Sequence, residues 1–522
     1  MVGASHDFSQ DAVSIVAALR AKGVRLWSEN GELRYRARRG AMTPDELLSL
    51  RDQRKQIVAL LDVTDQSAAC TALRPRPPNV PVPLTRTQTV FWDSGRRMQR
   101  TPIRQIASAT RLCGRLHLGA LRASLTEVLR RHEALRARIV EVDGVPVQDI
   151  AESSLCDLRT VDLSALPALQ REQEMKTAIR SLILEPFRFD IGPLAAVQLV
   201  KLRDEEHLLI VALEHMISDA YSLNVLLRDL LAVYARSLDQ RAPAPLPVAI
   251  QHADYAVWQR LTEESWVAEH QGHWQRVLDY PAVRFPGPHD AAINCLPGWE
   301  IESTLIRSDQ KLALRNWCQS RGTTLAMGVL TAYSAAVLRW CGVHKGVLRC
   351  VTDGRALPEV QNTIGVFAAP MYLRAAHVEG DSFLDFLGHL TWEYCEAYRH
   401  ADLYYLQSTL PRSEHMRTPI FNWIPEEPKL ESPLLRGSPD VLACSSVEFD
   451  NPLYELFAMD SDPILLLYDR SDDLFMELLY PRSRFGAASM QRFVHSLLLV
   501  INSMLERPEQ AVAGVGLPAD HC

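Results

Sequence analysis

Two residues have the type and spacing for proton chemistry, His215 and Asp219. They stand in the stretch Leu208-Leu209-Ile210-Val211-Ala212-Leu213-Glu214-His215-Met216-Ile217-Ser218-Asp219-Ala220-Tyr221-Ser222. An apolar run of strand character ends abruptly in the histidine, and a helix-like segment, Leu223 to Leu238, follows the aspartate. A strand that ends in a histidine can aim the imidazole into a cleft while the sheet holds its backbone rigid. Such a ring can accept a proton or position one near neutral pH, and the aspartate can orient the ring or its loop. The spacing alone serves a satisfied structural histidine equally well, so its context has to decide.

That context is a chain of 522 residues, long enough for roughly three units of ordinary size. A hydrophobic content of 47% with 23% charged residues is that of a globular protein, and no apolar run approaches the ~20 residues that span a bilayer. Met1 to Gln10 lacks the basic and apolar regions of a secretory signal. The ten cysteines are scattered without a Cys-x-x-Cys pair, which indicates neither a zinc site nor a disulfide framework. That usage fits a reducing cytosol, so a cytoplasmic protein without a metal is expected. A net charge of −7 argues against a nucleic-acid partner. The charge is uneven: Met1 to Leu61 carries ten Lys/Arg against seven Asp/Glu, a net +3, which leaves −10 for the remainder. Phosphate loops, dinucleotide-binding glycine patterns and Gly-x-Ser-x-Gly elbows are absent, which disfavours a nucleotide-dependent ligase or a serine hydrolase.

The first 61 residues read as a small α-β-β-α domain. Val13, Val16 and Leu19 have helical spacing within Asp11 to Lys22, and Gly23 follows as a cap. Val24 to Trp27 and Leu33 to Arg36 flank Asn30-Gly31, a strong hairpin signal. Thr43-Pro44-Asp45-Glu46 supplies a cap, a first-turn proline and a capping-box acid for a helix running to Leu61. An edge lined with Arg25, Arg34, Arg36, Arg38 and Arg39 reads either as a solvated basic face or as an edge to which an acidic peptide adds a strand. Asp62 to Pro83, with Pro75, Pro77, Pro78, Pro81 and Pro83, reads as a semi-rigid spacer. From Leu84 onward helix-like segments (Leu118 to His132, Thr324 to Trp340, Met490 to Leu505) alternate with strand-like ones (Ala196 to Leu202, His207 to Leu213, Val347 to Val351). Two α/β sandwiches are expected, covering 84–248 and 249–522, with the boundary at the surface crossover Pro243 to Val248.

Several blocks then stand in the order shown by the condensation domains of nonribosomal peptide synthetases. Leu84-Thr85-Arg86-Thr87-Gln88-Thr89-Val90-Phe91-Trp92 is similar to the opening block, and Arg131-His132-Glu133-Ala134-Leu135-Arg136 closely matches the second. Glu214 to Ala220 occupies the place of the signature HHxxxDG, and Ala253-Asp254-Tyr255-Ala256-Val257-Trp258 matches the next block. Ile364-Gly365-Val366-Phe367 resembles a block that usually ends Val-Asn-Thr and here continues Ala368-Ala369-Pro370; His400-Ala401-Asp402 stands for His-Gln-Asp. The segment from Leu84 to about Val515 thus resembles a condensation domain, and residues 1–61 resemble a β-hairpin docking domain. The combination is similar to the free-standing chain-releasing enzymes of enacyloxin-type hybrid polyketide synthases.

The resemblance implies an α/β fold of two chloramphenicol-acetyltransferase-like lobes in a V-shaped pseudo-dimer, behind the small α-β-β-α docking domain. It implies an acyltransferase in natural-product biosynthesis that moves a carrier-bound polyketide or peptide thioester onto a hydroxyl or amine of a soluble acceptor, forming an ester or an amide. The chain itself would bind no cofactor, because the substrate arrives on the phosphopantetheine arm of an acyl or peptidyl carrier protein. The docking domain, through Arg25, Arg34, Arg36 and Arg38, would take the C-terminal tail of the upstream subunit. No membrane partner is implied. His215 is the catalytic residue carried over. Asp219 is the structural aspartate, with Arg355 of Asp353-Gly354-Arg355 its expected buried partner. Glu214 stands where the signature has its first histidine, as a charged acceptor or a partner of an arginine. Ala220 stands where it has glycine, and either narrows the tunnel or is neutral. A second reading is a catalytically inactive docking or gating module that binds carrier proteins. His132, His400 and the other histidines are expected to be structural.

Overall fold

The computed structural model describes residues 25–29, 32–36, 54, 72–78, 80–97, 105–154, 156–239, 244–287, 298–401, 417–425, 442–447, 449 and 461–515. The chain divides into two compact units, Met1–Arg74 and Pro75–Cys522. In the first, strands β1 (Arg25–Glu29) and β2 (Glu32–Arg36) form an antiparallel hairpin whose register sets Arg25 opposite Arg36 and Trp27 opposite Arg34. The expected Asn30-Gly31 turn, the flanking helices (save the helical Arg54), Arg38 and Arg39 lie outside the described residues.

The second unit runs β3 (Val82–Pro83), α1 (Arg86–Arg97), β4 (Gln105–Cys113), α2 (Leu118–Arg131), β5 (Ala137–Val142), β6 (Val145–Ile150), β7 (Leu158–Asp162) and α3 (Ala168–Ile183). It continues through β8 (Ala195–Arg203), β9 (Glu206–Glu214), α4 (Ala220–Leu238), α5 (His252–Leu261), α6 (Glu263–Leu278), β10 (Trp299–Ile306), α7 (Ser308–Gln319) and α8 (Leu325–Trp340). The remaining elements are β11 (Lys345–Thr352), β12 (Ala369–Ala376), α9 (Phe383–Arg399), β13 (Ile420–Ile424), β14 (Ala443–Ser446), β15 (Ile464–Asp469), β16 (Leu474–Pro481) and α10 (Ala487–Glu506). Among the described residues no helix is long and apolar enough to cross a membrane.

Two mixed sheets dominate, as alternating elements require. One has the order β14-β4-β9-β8-β7, the other β10-β16-β15-β13-β11-β12. Strand β9 lies inside the first sheet with both faces covered, which explains its continuous apolar run. Leu209, Val211 and Leu213 point into one core beneath α2 and α4, while Leu208, Ile210 and Ala212 face a second core beside α3. The second sheet packs on α8, which is buried on nearly every side, and on α10.

Two features differ from the sequence reading. The spacer was expected to reach Pro83, yet Arg76 is held by Asp254 and Glu133 (both 2.8 Å), and Val82–Pro83 pairs with β6. A guanidinium between two carboxylates and a strand pairing fix this end of the segment. Nor is the second lobe, expected as 249–522, separate from the first. Strand β14 pairs with β4 in the first sheet, and Leu442 and Ile364 enter the core beneath α2 and α4. The β14 pairing covers the β4 edge of the first sheet.

Candidate active site

The site is built on the junction between β9 and α4. Glu214 ends the strand, residues 215–217 turn, and Asp219 caps the helix by accepting the Ser222 N–H at 2.8 Å. The turn is gripped from several sides. Ser218 Oγ–H donates to the Glu214 carbonyl (2.9 Å), and Gln88 of α1 donates its Nε2–H to the Met216 carbonyl (2.9 Å). The Met216 N–H donates to the Glu214 carboxylate.

His215 is half-buried, with the Phe91 ring of α1 5.0 Å away. Its Nδ1 lies 2.8 Å from the Ser218 carbonyl oxygen. A carbonyl only accepts, so Nδ1 carries the proton, and in the neutral ring Nε2 carries the lone pair. The tautomer of the His215 ring is therefore set by the backbone.

Asp219 and Arg355 form the expected pair and are 2% and 4% exposed, so no solvent screens them. Arg355 Nη2 reaches Asp219 Oδ1 and Oδ2 at 3.0 and 3.2 Å, while its Nη1 donates to the Val360 and Thr363 carbonyls, both at 2.8 Å. The guanidinium lies between Phe367 (4.3 Å) and Tyr221 (4.5 Å). Asp219 also accepts the Phe367 and Ala368 N–H groups at 3.0 and 3.2 Å and the Ser222 hydroxyl at 2.8 Å. Burial pushes its pKa up, but the Arg355 charge and these donors outweigh burial and hold it below the usual carboxylate value. The aspartate thus ties α4 to residues 355–368 and does not orient the imidazole.

Backbone shape serves the same hub. Gly354 has φ +62°, and a methyl there would collide with the Phe367 carbonyl. A methyl at Gly365 would collide with the His252 ring. His252, at the start of α5, is buried with its Nε2–H toward the Val366 carbonyl at 3.3 Å. Burial lowers its pKa to about 4, so it is neutral at pH 7.

The Glu214 carboxylate is buried and accepts the Met216 N–H. Ala220 is exposed as the first residue of α4 and is not among the residues with positive φ, so its methyl meets no backbone strain. His132 is structural, bonding through Nε2 to the buried Asp229 of α4 at 3.0 Å. His400 meets His270 at 3.0 Å and stacks on His273. Of the arginines expected to dock a partner, Arg34 is exposed and Arg25 and Arg36 stand in the hairpin. Sequence reasoning singled out neither Gln88, Phe91, Ser222, His252 nor Phe367 as a site residue. Ser222 was findable as the third residue after a capping aspartate. Among the described residues no group of His, Cys, Asp and Glu is arranged to hold a metal ion.

The Condensation domain family matches residues 81–521. The chain belongs to the condensation-domain family. Residues 13–62 match the TubC N-terminal docking domain. This condensation domain is 27% identical over 444 residues to Malpibaldin synthetase of Mortierella alpina, covering 84% of the chain but 8% of that protein. It is 32% identical over 332 residues to Phosphinothricin tripeptide synthetase PhsC of Streptomyces viridochromogenes, covering 62% of the chain and 30% of that protein. The chain therefore spans less than a third of these relatives. Among solved structures, the condensation domain of chain release from the enacyloxin polyketide synthase is 22% identical, covers 97% of this chain and 98% of its own, and has a TM-score of 0.66. The X-domain in complex with OxyB from teicoplanin biosynthesis is 22% identical, with coverages of 86% and 98% and a TM-score of 0.69. At such identities the likeness concerns the fold, two chloramphenicol-acetyltransferase-like halves.

Proposed function

We propose that this condensation domain is an acyltransferase that releases a carrier-bound polyketide or peptide chain onto a soluble hydroxyl or amine acceptor. The observation that carries the reading is the His215 tautomer: with Nδ1–H on the Ser218 carbonyl, Nε2 is the basic atom. Nε2 takes the proton of the acceptor O–H or N–H as that atom attacks the thioester carbonyl. The carbon–sulfur bond then breaks, the pantetheine sulfur leaves with a proton, and an ester or amide remains. Holding both substrates at one place makes the attack nearly unimolecular, worth ~7–11 kcal/mol. Asp219 and Arg355 keep the loop in shape and take no part in proton transfer.

The acyl chain arrives on the phosphopantetheine arm of an acyl or peptidyl carrier protein, so the chain needs no cofactor of its own. The first unit captures an acidic C-terminal tail of the upstream subunit by adding it as a strand, with Arg25, Arg34, Arg36 and Arg38 supplying charge complementarity. Exposed arginines contribute modestly each, and the tether raises the local carrier concentration, so weak docking suffices. The reaction belongs in the cytoplasm, where described cysteines such as Cys113 and Cys395, both unpaired and exposed, stay reduced.

A second reading, a silent docking or gating module, draws on Glu214 and Ala220 standing where the signature has histidine and glycine. The two are separated by incubating the full chain with an acyl-pantetheine thioester and a panel of alcohols and amines, then looking for ester or amide by mass spectrometry. Product dependent on the protein supports transfer. Carrier binding with no product from any acceptor supports the silent module.

A further inference from the structure

Gln88, fully buried on α1, caps its own helix and grips the active-site turn with the same side-chain amide. Thr85 and Gln88 form the reciprocal pair of a capping box. The Thr85 N–H donates to Gln88 Oε1 at 2.9 Å, and the Gln88 backbone N–H donates to Thr85 Oγ1 at 3.2 Å. The other end of the amide faces inward, where Nε2 donates to the Met216 carbonyl at 2.9 Å and to Gln148 Oε1 of β6 at 3.2 Å. A backbone N–H on one side and a backbone carbonyl on the other fix which way the amide points, and both of its protons are used. Gln148, itself buried, donates its Nε2–H to the Pro83 carbonyl at 2.8 Å. Three residues further along α1, Phe91 sets its ring 5.0 Å from that of His215. Positions three apart share a helix face, so one face of α1 holds the Met216 carbonyl and meets the imidazole of the preceding residue.

We propose that Gln88 is a positioning residue that sets where His215 stands against α1. Bonds inside the turn, from the Ile217 N–H and the Ser218 hydroxyl to the Glu214 carbonyl, fix the turn's shape. They do not fix its distance from α1, whereas the Gln88 amide does so at the residue next to His215. Losing that amide leaves the Met216 carbonyl, the Thr85 N–H and Gln148 Oε1 each without a buried partner, and the turn can recover only by shifting. A base displaced by about an ångström from the atom it serves loses much of its effect. The kinetic consequence rests on the acyl-transfer reading, while the placement of the ring does not.

The test pairs NMR of the full chain, carrying labelled histidine and phenylalanine, with steady-state kinetics on an acyl-pantetheine thioester. The ring signals are assigned by their loss in His215→Ala and Phe91→Leu, and wild type should show cross-relaxation between the two rings. Gln88→Met is close in size and lacks the amide, so it should lose that cross-relaxation. Its kcat should fall about 10–100-fold with KM within about threefold of wild type. Thr85→Ala removes half of the capping box and leaves the amide on Met216. It should melt lower than wild type yet keep the ring signal and a rate within about twofold. Two variants alike in ring signal and rate would assign the effect to the helix cap and overturn the proposal. Should Gln88→Met fold poorly, Gln88→Asn, one methylene short of the Met216 carbonyl, carries the same expectation. Cross-relaxation of wild-type strength in the folded Gln88 variant, or its loss with kcat unchanged, would also overturn the proposal. Loss of the ring signal where even wild type turns over nothing upholds the positioning of the ring and removes the acyl-transfer reading.

Discussion

Replacing Asp219 with alanine tests the hub that carries the active-site loop. The carboxylate accepts from Ser222 N–H and Oγ–H, Arg355 Nη2, Phe367 N–H and Ala368 N–H. Alanine leaves the guanidinium, 4% exposed, with only its carbonyl and hydroxyl partners, and removes the cap of α4. Breaking a buried pair at one side costs about 3–5 kcal/mol, because a charge stays buried without its counter-charge. The Val360 and Thr363 carbonyls offset part of this, while the lost cap adds about 1 kcal/mol. A net loss near 4 kcal/mol in a unit of this size lowers Tm by about 4–8 °C. The assay is urea unfolding and thermal melting of wild type, Asp219→Ala, Arg355→Met and the double variant. A coupling of at least about 2 kcal/mol is expected between the two positions. Additive effects, or an Asp219→Ala protein that melts with wild type, would refute the claim that the pair sustains the loop.

Acid should weaken the fold in two steps. His252 has its folded pKa lowered from 6.5 to about 4 by burial, so between these values the unfolded chain binds a proton that the folded one refuses. Stability should fall by about 3 kcal/mol as pH drops from 6.5 to 4, and His252→Phe should flatten that slope in urea midpoints measured across the range. Asp219, its folded pKa lowered, stabilises above the ordinary carboxylate range and loses this as pH falls through its folded value, so a second decline belongs below pH 4. Gly354→Ala, at φ +62° against the Phe367 carbonyl, should cost more than the ~1–2 kcal/mol of a left-handed backbone alone, read as a shifted urea midpoint. Deleting residues 1–61 should spare turnover of a small pantetheine thioester and cut turnover of a carrier-bound chain, with the difference shrinking as salt rises. Equal loss with both substrates would make that segment part of the catalytic fold.

What the sequence made legible was local. The apolar run of β9, the histidine at its end and the capping aspartate are neighbours in the chain, and period and capping chemistry reveal them. The Asp219–Arg355 contact spans 136 residues and came from the family resemblance, since no periodicity announces it. Gln88 and Phe91 stayed unseen as site residues because α1 meets the turn only through tertiary packing. The return of β14 to the first sheet was hidden for a related reason: a strand of four residues carries too little pattern to declare its partner. The spacer was overextended because five prolines read as an extended segment whether or not Arg76 finds two carboxylates.

The central claim is that His215 Nε2 acts as the base of an acyl transfer. Its most direct measurement is single-turnover transfer from an acyl-pantetheine thioester by His215→Ala beside wild type, with both melting curves recorded. The account predicts a rate lower by about two to four orders of magnitude and a Tm within a few degrees of wild type. A variant that keeps most of its activity with an unchanged melt would contradict it.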